Sequence, residues 1–136
     1  MKGRVLIIAG SDCSGGAGIQ ADIKSVTALG GYAATAITAL TIQNTTGVFD
    51  VLGISPEMIV HQATVTIDDI GADAVKTGML HSVPVIEAVA EFIKSKCIDI
   101  PIVIDPVMIS QSGARLLEED AVDALITHMV PLATVL

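Results

Sequence analysis

Apolar and polar positions recur along this chain in two rhythms. Val5 to Ala9 is an unbroken apolar run that stops at Gly10, the pattern of a strand buried on both faces. Gly10 to Gly18 is polar and carries four glycines. Ile19, Ile23, Val26 and Leu29 then return at helical spacing and predict a helix with one apolar face, closed by Gly30-Gly31. Tyr32 to Ile42, rich in Thr, Ile and Ala, predicts a strand. Gln43 to Gly47 predicts a polar turn, and Val48 to Ile54 the second strand of a hairpin-like pair. Ser55-Pro56-Glu57 offers a capping hydroxyl, a proline for the first helical position and an acid for the first turn, so a helix should start there and run to about Ile67.

The second half repeats the alternation. Ala72 to Val75 predicts a short strand leading into Lys76-Thr77-Gly78-Met79-Leu80. Ser82 should cap a helix whose inner side is Ile86, Val89, Ile93 and Cys97. Ile100 to Ile104 predicts a strand ending at Asp105-Pro106. Glu118-Glu119-Asp120 should open a last helix with Val122, Leu125, Ile126 and Met129 inward and Pro131 as its stop, before a further apolar run from Leu132. Strands alternating with helices of about 10–15 residues predict βαβ units and a mostly parallel sheet, an α/β fold. Ligands of such sheets bind beyond the carboxyl ends of the strands. That rule selects Gly10 to Gly18, Gln43-Asn44, Lys76 to Met79 and Asp105 to Gly113, expected along one edge.

Composition narrows the class. With 136 residues, 51% hydrophobic and 16% charged, the chain has ample apolar surface for one folded domain spanning 1–136, with no internal boundary, linker or repeat. Tyr32, Phe49 and Phe92 are the only aromatics, so the core is aliphatic. A net charge of −8 with no Trp and no basic run argues against nucleic acid as a partner. The longest apolar-looking stretch, Tyr32 to Ile42, is well below the ~20 residues that span a bilayer. The run Val5 to Ala9 is likewise shorter than the roughly 7–15 residues of a secretory core segment. Cys13 and Cys97 form neither a disulfide framework nor a zinc pattern, which fits a reduced, cytoplasmic chain.

Candidate chemistry lies in the four selected segments. Glycines let backbone approach a ligand, and a following helix offers unpaired N–H groups. Gly16-Ala17-Gly18-Ile19-Gln20-Ala21 formally fits a dinucleotide fingerprint, but it stands seven residues past the expected strand end at Ala9. No acid ends the next strand either, so a dinucleotide site is disfavoured. Asp22 borders the apolar helix face near the glycine loop and is equally compatible with a surface acid and a ligand acceptor. Gln43 offers a donor and an acceptor, which suits an aminopyrimidine-like edge. Met79 supplies a soft apolar wall. Asp105 ends a buried strand and should find a partner: a helix start, Lys76, or a metal-bound phosphate. His61, His81 and His128 show no metal-ligand spacing.

Taken together, Ala9-Gly10-Ser11-Asp12-Cys13-Ser14-Gly15-Gly16-Ala17-Gly18-Ile19-Gln20-Ala21-Asp22, Ile37 to Thr45, Val75-Lys76-Thr77-Gly78-Met79-Leu80 and Asp105-Pro106-Val107-Met108 closely resemble, in order and spacing, the hydroxymethylpyrimidine/phosphomethylpyrimidine kinases of thiamine biosynthesis. The resemblance implies a three-layer α/β/α ribokinase-like fold and a homodimer. It also implies ATP- and Mg²⁺-dependent phosphorylation of a small pyrimidine and then of its monophosphate. Carried over by motif, Gly10, Ala17, Asp22, Gln43, Met79 and Val107 would line the pyrimidine site, with Lys76 and Asp105 near phosphate and metal. A pyridoxal-type vitamin kinase and a non-catalytic pyrimidine-binding module are the alternatives. Two departures stand out. Gln111 takes the place of a lysine that the family usually has before Ser-Gly. The family's Thr-Pro-Asn-x-x-Glu and Gly-Thr-Gly-[Cys/Asp] segments do not occur here and are expected beyond Leu136. The chain therefore corresponds to the N-terminal half of such a kinase. Neither a catalytic residue within it nor pyrimidine-dependent ATP consumption by it alone is expected. Cys13, where the family often has proline, is not a substitute for the missing group.

Overall fold

A computed structural model of the chain describes residues 3–110, 113, 115–118 and 120–136. Gln111, and with it the question of the replaced lysine, lies outside them, as do Ser112 and Glu119. The described elements are β1 (Arg4–Asp12), α1 (Gly18–Ala28), β2 (Tyr32–Asn44), β3 (Gly47–Gly53), α2 (Pro56–Asp69), β4 (Ala74–Thr77), α3 (Val83–Lys96), β5 (Ile102–Ile104) and α4 (Ala121–Ala124). After α4 the chain widens into a π turn at Leu125–Met129 and tightens into a 3₁₀ turn at Val130–Leu132.

The strands form one sheet in the order β3-β2-β1-β4-β5. β1, the strand expected to be most buried, sits at its centre, parallel to both β2 and β4, and β4 is parallel to β5. β3 returns antiparallel on β2, as the hairpin-like pattern predicts. Successive β1 side chains point to opposite faces. Leu6 and Ile8 enter a large core with α2, α3, α4 and the π turn, while Ile7 and Ala9 pack with Ile19 under α1. Helices therefore cover both faces and give the expected three layers.

The strongest local signals behave as read. The Ser55 hydroxyl accepts from Met58 N at 3.3 Å, and Pro56 opens α2. Ile86, Val89 and Ile93 of α3 and Cys97 just after it are all buried. Other readings need correction. Ile23 is partly exposed and Leu29 fully so, because α1 packs mainly through Ile19 on a narrow seam. Ser82 occupies the cap position of α3, but its side chain makes no capping hydrogen bond. β4 begins at Ala74 rather than Ala72, so Lys76 and Thr77 belong to the strand. The last helix turns outward at Ile126, which is exposed, and Pro131 lies inside the 3₁₀ turn instead of ending a helix. From Leu132 onward the described chain forms one isolated parallel bridge, Val103 to Val135, and no strand.

Candidate functional site

The carboxyl ends of β1, β2, β4 and β5 bring the four selected segments to one cavity of about 470 Å³. β1 and β2 both run further than the apolar pattern suggested, to Asp12 and Asn44, so the first loop and Gln43 stand on strand ends. All eight candidate residues line this space. Gly10 comes from β1, Ala17 from the first loop, Asp22 from α1 and Gln43 from β2. Lys76 and Met79 come from β4 and the turn after it, and Asp105 and Val107 from the segment after β5.

The first loop is held by its own acid. Asp12 Oδ1 accepts from Ser14 N at 2.8 Å and Ser14 Oγ at 2.7 Å, and Oδ2 accepts from Gly16 N at 2.9 Å and Ala17 N at 2.8 Å. Burial works to raise the Asp12 pKa, but the bonds from Ser14, Ala17 and Gly16 outweigh it and the net shift is downward. The loop N–H groups of Ser14, Gly16 and Ala17 are thus taken by a buried carboxylate rather than offered to a ligand phosphate. Gly18 has φ +56° and its backbone passes so close to the Gly10 carbonyl that any Cβ would collide with it.

At the cavity floor, Lys76 Nζ lies 2.8 Å from Asp22 Oδ2 and 3.6 Å from Asp105 Oδ2. The partner expected for Asp105 is therefore Lys76, although the carboxylate is half-exposed rather than buried. Two carboxylates share one ammonium, and Lys76 is the one cation among the described residues lining the cavity. Among the described residues no group of three or more His, Cys, Asp or Glu could hold a metal by itself. The Met79 wall is fixed from behind, where its carbonyl accepts from the buried Thr38 Oγ1 at 2.6 Å. A Cβ on Gly10 would meet Met79 Sδ at 3.2 Å, so glycine keeps the slot beside the sulfur open.

Three contributors escaped sequence reading. Thr41 lines the cavity two residues before Gln43 on the same strand face, and its Oγ1 lies 2.9 Å from Ser11 O and 2.9 Å from Gln43 Oε1. The period of two along a strand was the available signal. Cys13 Sγ donates to Gln43 O at 3.1 Å and accepts from Gln43 N at 3.4 Å, tying the loop to the end of β2. His81 adopts φ 70°, rare for a side-chain-bearing residue. Its Nδ1 is 3.3 Å from Leu116 O and its carbonyl accepts from Glu118 N at 3.0 Å, which holds the Leu116 wall. Nothing in the local sequence marks that contact.

A family model described as phosphomethylpyrimidine kinase matches residues 12–136. A hydroxymethylpyrimidine/phosphomethylpyrimidine kinase of Mycobacterium leprae is 49% identical over 132 residues, which cover 97% of this chain and 47% of the relative. The crystal structure of phosphomethylpyrimidine kinase from Clostridium difficile superposes with a TM-score of 0.87 at 46% identity, covering 96% of this chain and 56% of that one. Pyridoxal kinase of Bacillus subtilis, solved with ADP, superposes with a TM-score of 0.81 at 41% identity, covering 96% and 48%. The chain spans about half the length of the curated relatives it matches. The mostly parallel sheet with helices described above is the fold of ribokinase-like kinases. No helix among the described residues is long and apolar enough to cross a membrane. By family model, sequence identity and fold, this chain belongs to the phosphomethylpyrimidine kinase family.

Proposed function

We propose that the cavity is the acceptor site of a kinase that phosphorylates 4-amino-5-hydroxymethyl-2-methylpyrimidine and its monophosphate. The observation that carries this reading is the convergence of Asp22, Gln43, Lys76 and Met79, from separate elements, on one cavity at the strand ends. Gln43 and Asp22 read the polar edge of the ring. Ala17, Met79 and Val107 hold its faces, and Gly10 leaves room for it. Lys76 offers positive charge to a phosphorylated acceptor.

The family uses ATP, which supplies the transferred phosphoryl group. Such transfer depends mainly on positioning and charge stabilisation. Mg²⁺ commonly takes one or two carboxylates and completes its shell with water and phosphate oxygens. The half-exposed Asp105 fits that donor set as a single carboxylate. A homodimer is in keeping with the exposed apolar side chains Leu40, Ile42, Phe49 and Leu52 on the β2–β3 hairpin. The free thiols of Cys13 and Cys97 suit a reducing, cytoplasmic setting. The second reading, a pyridoxal-type acceptor, is favoured by the likeness to the Bacillus subtilis enzyme.

Thermal unfolding with either acceptor tests both readings. A ligand at a hundredfold its Kd should stabilise the fold by about 2.7 kcal/mol. The pyrimidine is expected to raise Tm more than pyridoxal, and Gln43→Ala to abolish the rise. An unchanged Tm with both ligands contradicts an acceptor site. Pyrimidine-dependent ATP consumption by this chain alone is not expected, and its appearance would mark a catalyst rather than a binding module.

A further inference from the structure

Thr41 is nearly fully buried, and its hydroxyl oxygen has two oxygen neighbours at equal distance: Ser11 O and Gln43 Oε1, both 2.9 Å away. A hydroxyl carries one proton. If that proton goes to Gln43 Oε1, the contact with Ser11 O has no proton between two oxygens at hydrogen-bond distance, and they repel. If it goes to Ser11 O, the same repulsion falls on Gln43 Oε1 until the amide turns over. Ser11 O is a backbone carbonyl and can only accept. The Gln43 amide can rotate and present its NH₂ instead, and its two ends are nearly the same size. One arrangement gives every contact a proton. In it Gln43 Nε2 donates to Thr41 Oγ1, Thr41 Oγ1 donates to Ser11 O, and Gln43 Oε1 is left without a donor among the described residues, on a side chain that lines the cavity.

We infer that Thr41 is a positioning residue that sets the polarity of the Gln43 amide, so that the cavity presents an acceptor there and selects a ring bearing an amino group over the same ring bearing an oxo group. The obligate acceptor at Ser11 begins the chain of bonds, and its direction then passes unchanged through Thr41 to the ligand. Cys13 strengthens the device by pinning the Gln43 backbone on both its N–H and its carbonyl, which leaves the side chain to turn about its own bonds. An oxo group in the amine's place would put two acceptors face to face, or force the amide back and break its bond to Thr41. Unpaired polar groups in a site built for hydrogen bonding give the largest discrimination between near-isosteric ligands.

This inference rests on the acceptor-site reading, and one titration series distinguishes failure of the two. Calorimetry of the 136-residue chain is done with 4-amino-5-hydroxymethyl-2-methylpyrimidine and with its 4-oxo counterpart. Wild type is expected to prefer the amino ligand by about tenfold or more. Thr41→Val keeps the shape and removes the proton relay, so the preference should fall to within about threefold. Thr41→Ser restores the hydroxyl and should recover most of the preference, while a merely structural role would lower both affinities together and leave their ratio unchanged. Equal binding of the two ligands by wild type, or an unchanged ratio in Thr41→Val, overturns the polarity device while leaving the acceptor site standing. Absence of binding by both ligands overturns the acceptor site and the device with it. Should Thr41→Val fail to fold, Thr41→Ala removes the same hydroxyl with a smaller side chain, so the preference should again fall to within about threefold, and an unchanged ratio contradicts the assignment.

Discussion

The two faces of β1 are built on different terms. Leu6 and Ile8 point into a core with Ile59, Ile86, Val89 and Met129, where almost no surface is left exposed and the buried Thr77 beside Ile8 is a rare polar neighbour. Ile7 and Ala9, one residue along in each case, meet only Ile19 among fully buried partners, with Val26 and Ile37 at the margin. On that side the register continues Ile7 to Lys76, and the ammonium reaches across to Asp22 of α1. One strand thus holds the fold together with alternate side chains and floors a polar cavity with the others. The α1 face gives up tight packing so that charged groups and a ligand can share it. The α2/α3 face supplies the stability that tolerates this.

Substitutions on each face should separate these roles. Ile86→Ala, in the large core, is expected to cost about 2–5 kcal/mol of stability, read as a shift of the denaturant midpoint. Acceptor affinity measured well below the midpoint should stay within a factor of about two. A comparable loss from Ile19→Ala, the apolar truncation under α1, would break the contrast.

Asp12→Asn is expected to be next, at about 1.5–3 kcal/mol, because hydrogen bonds to a charged acceptor are the strong ones and this carboxylate takes four. Its sign with pH is fixed by the lowered pKa. The folded value lies below the ordinary 3.8, so the contribution is fully present above 3.8 and drains away as pH falls through the folded value. Wild type and Asp12→Asn should therefore differ by a constant amount from neutrality down to about pH 5 and converge below about pH 4. Divergence on acidification would contradict the assignment.

Lys76→Met should cost about 1 kcal/mol of stability, since the pair with Asp22 is partly solvated. It should weaken a phosphorylated acceptor about tenfold and the neutral pyrimidine much less, because two carboxylates would then face the phosphate without a cation. Equal weakening of both ligands would remove Lys76 from any role toward phosphate. The smallest change is expected for Asp73→Asn. The Arg4 side chain, hydrogen-bonded and ion-paired to Asp73 at the far end of β1, holds that carboxyl at about 2. The pair is open to solvent. The variant should differ from wild type only slightly above pH 4, and that difference should vanish as pH approaches 2 in acid unfolding curves.

How much the sequence disclosed follows the same division. The central strand, α2 and α3 were legible because unbroken apolar runs and a serine-proline start leave few alternatives. Most of the candidate residues were legible as lying at or just beyond strand ends, with Ala17 and Asp22 at the start of α1, and the eight named positions line one cavity. Less legible was α1, whose Ile23 and Leu29 keep helical spacing without being covered, since spacing defines a face but not what packs against it. The short α4 and its π turn were hidden for a related reason: Ile126 fits an inward period that the widened turn then breaks. Hydrogen-bond direction was the least accessible. Asp12 filling its own loop depends on how that loop folds back, while the bond from Thr41 to Ser11 and the hold of His81 on the Leu116 wall depend on contacts between distant segments. Composition and period carry no record of those.

The central claim is that four strand ends act as one acceptor site. Amide chemical-shift mapping of the chain with 4-amino-5-hydroxymethyl-2-methylpyrimidine tests it most directly. The predicted result is a single saturable set of shifts that includes Gly10, Gly16 to Gly18, Gln43, Gly78 and Met79, residues spread over three segments of sequence. The α2/α3 core should stay still. Shifts confined to one segment, shifts centred on the α2/α3 side, or no shifts at saturating ligand would contradict it.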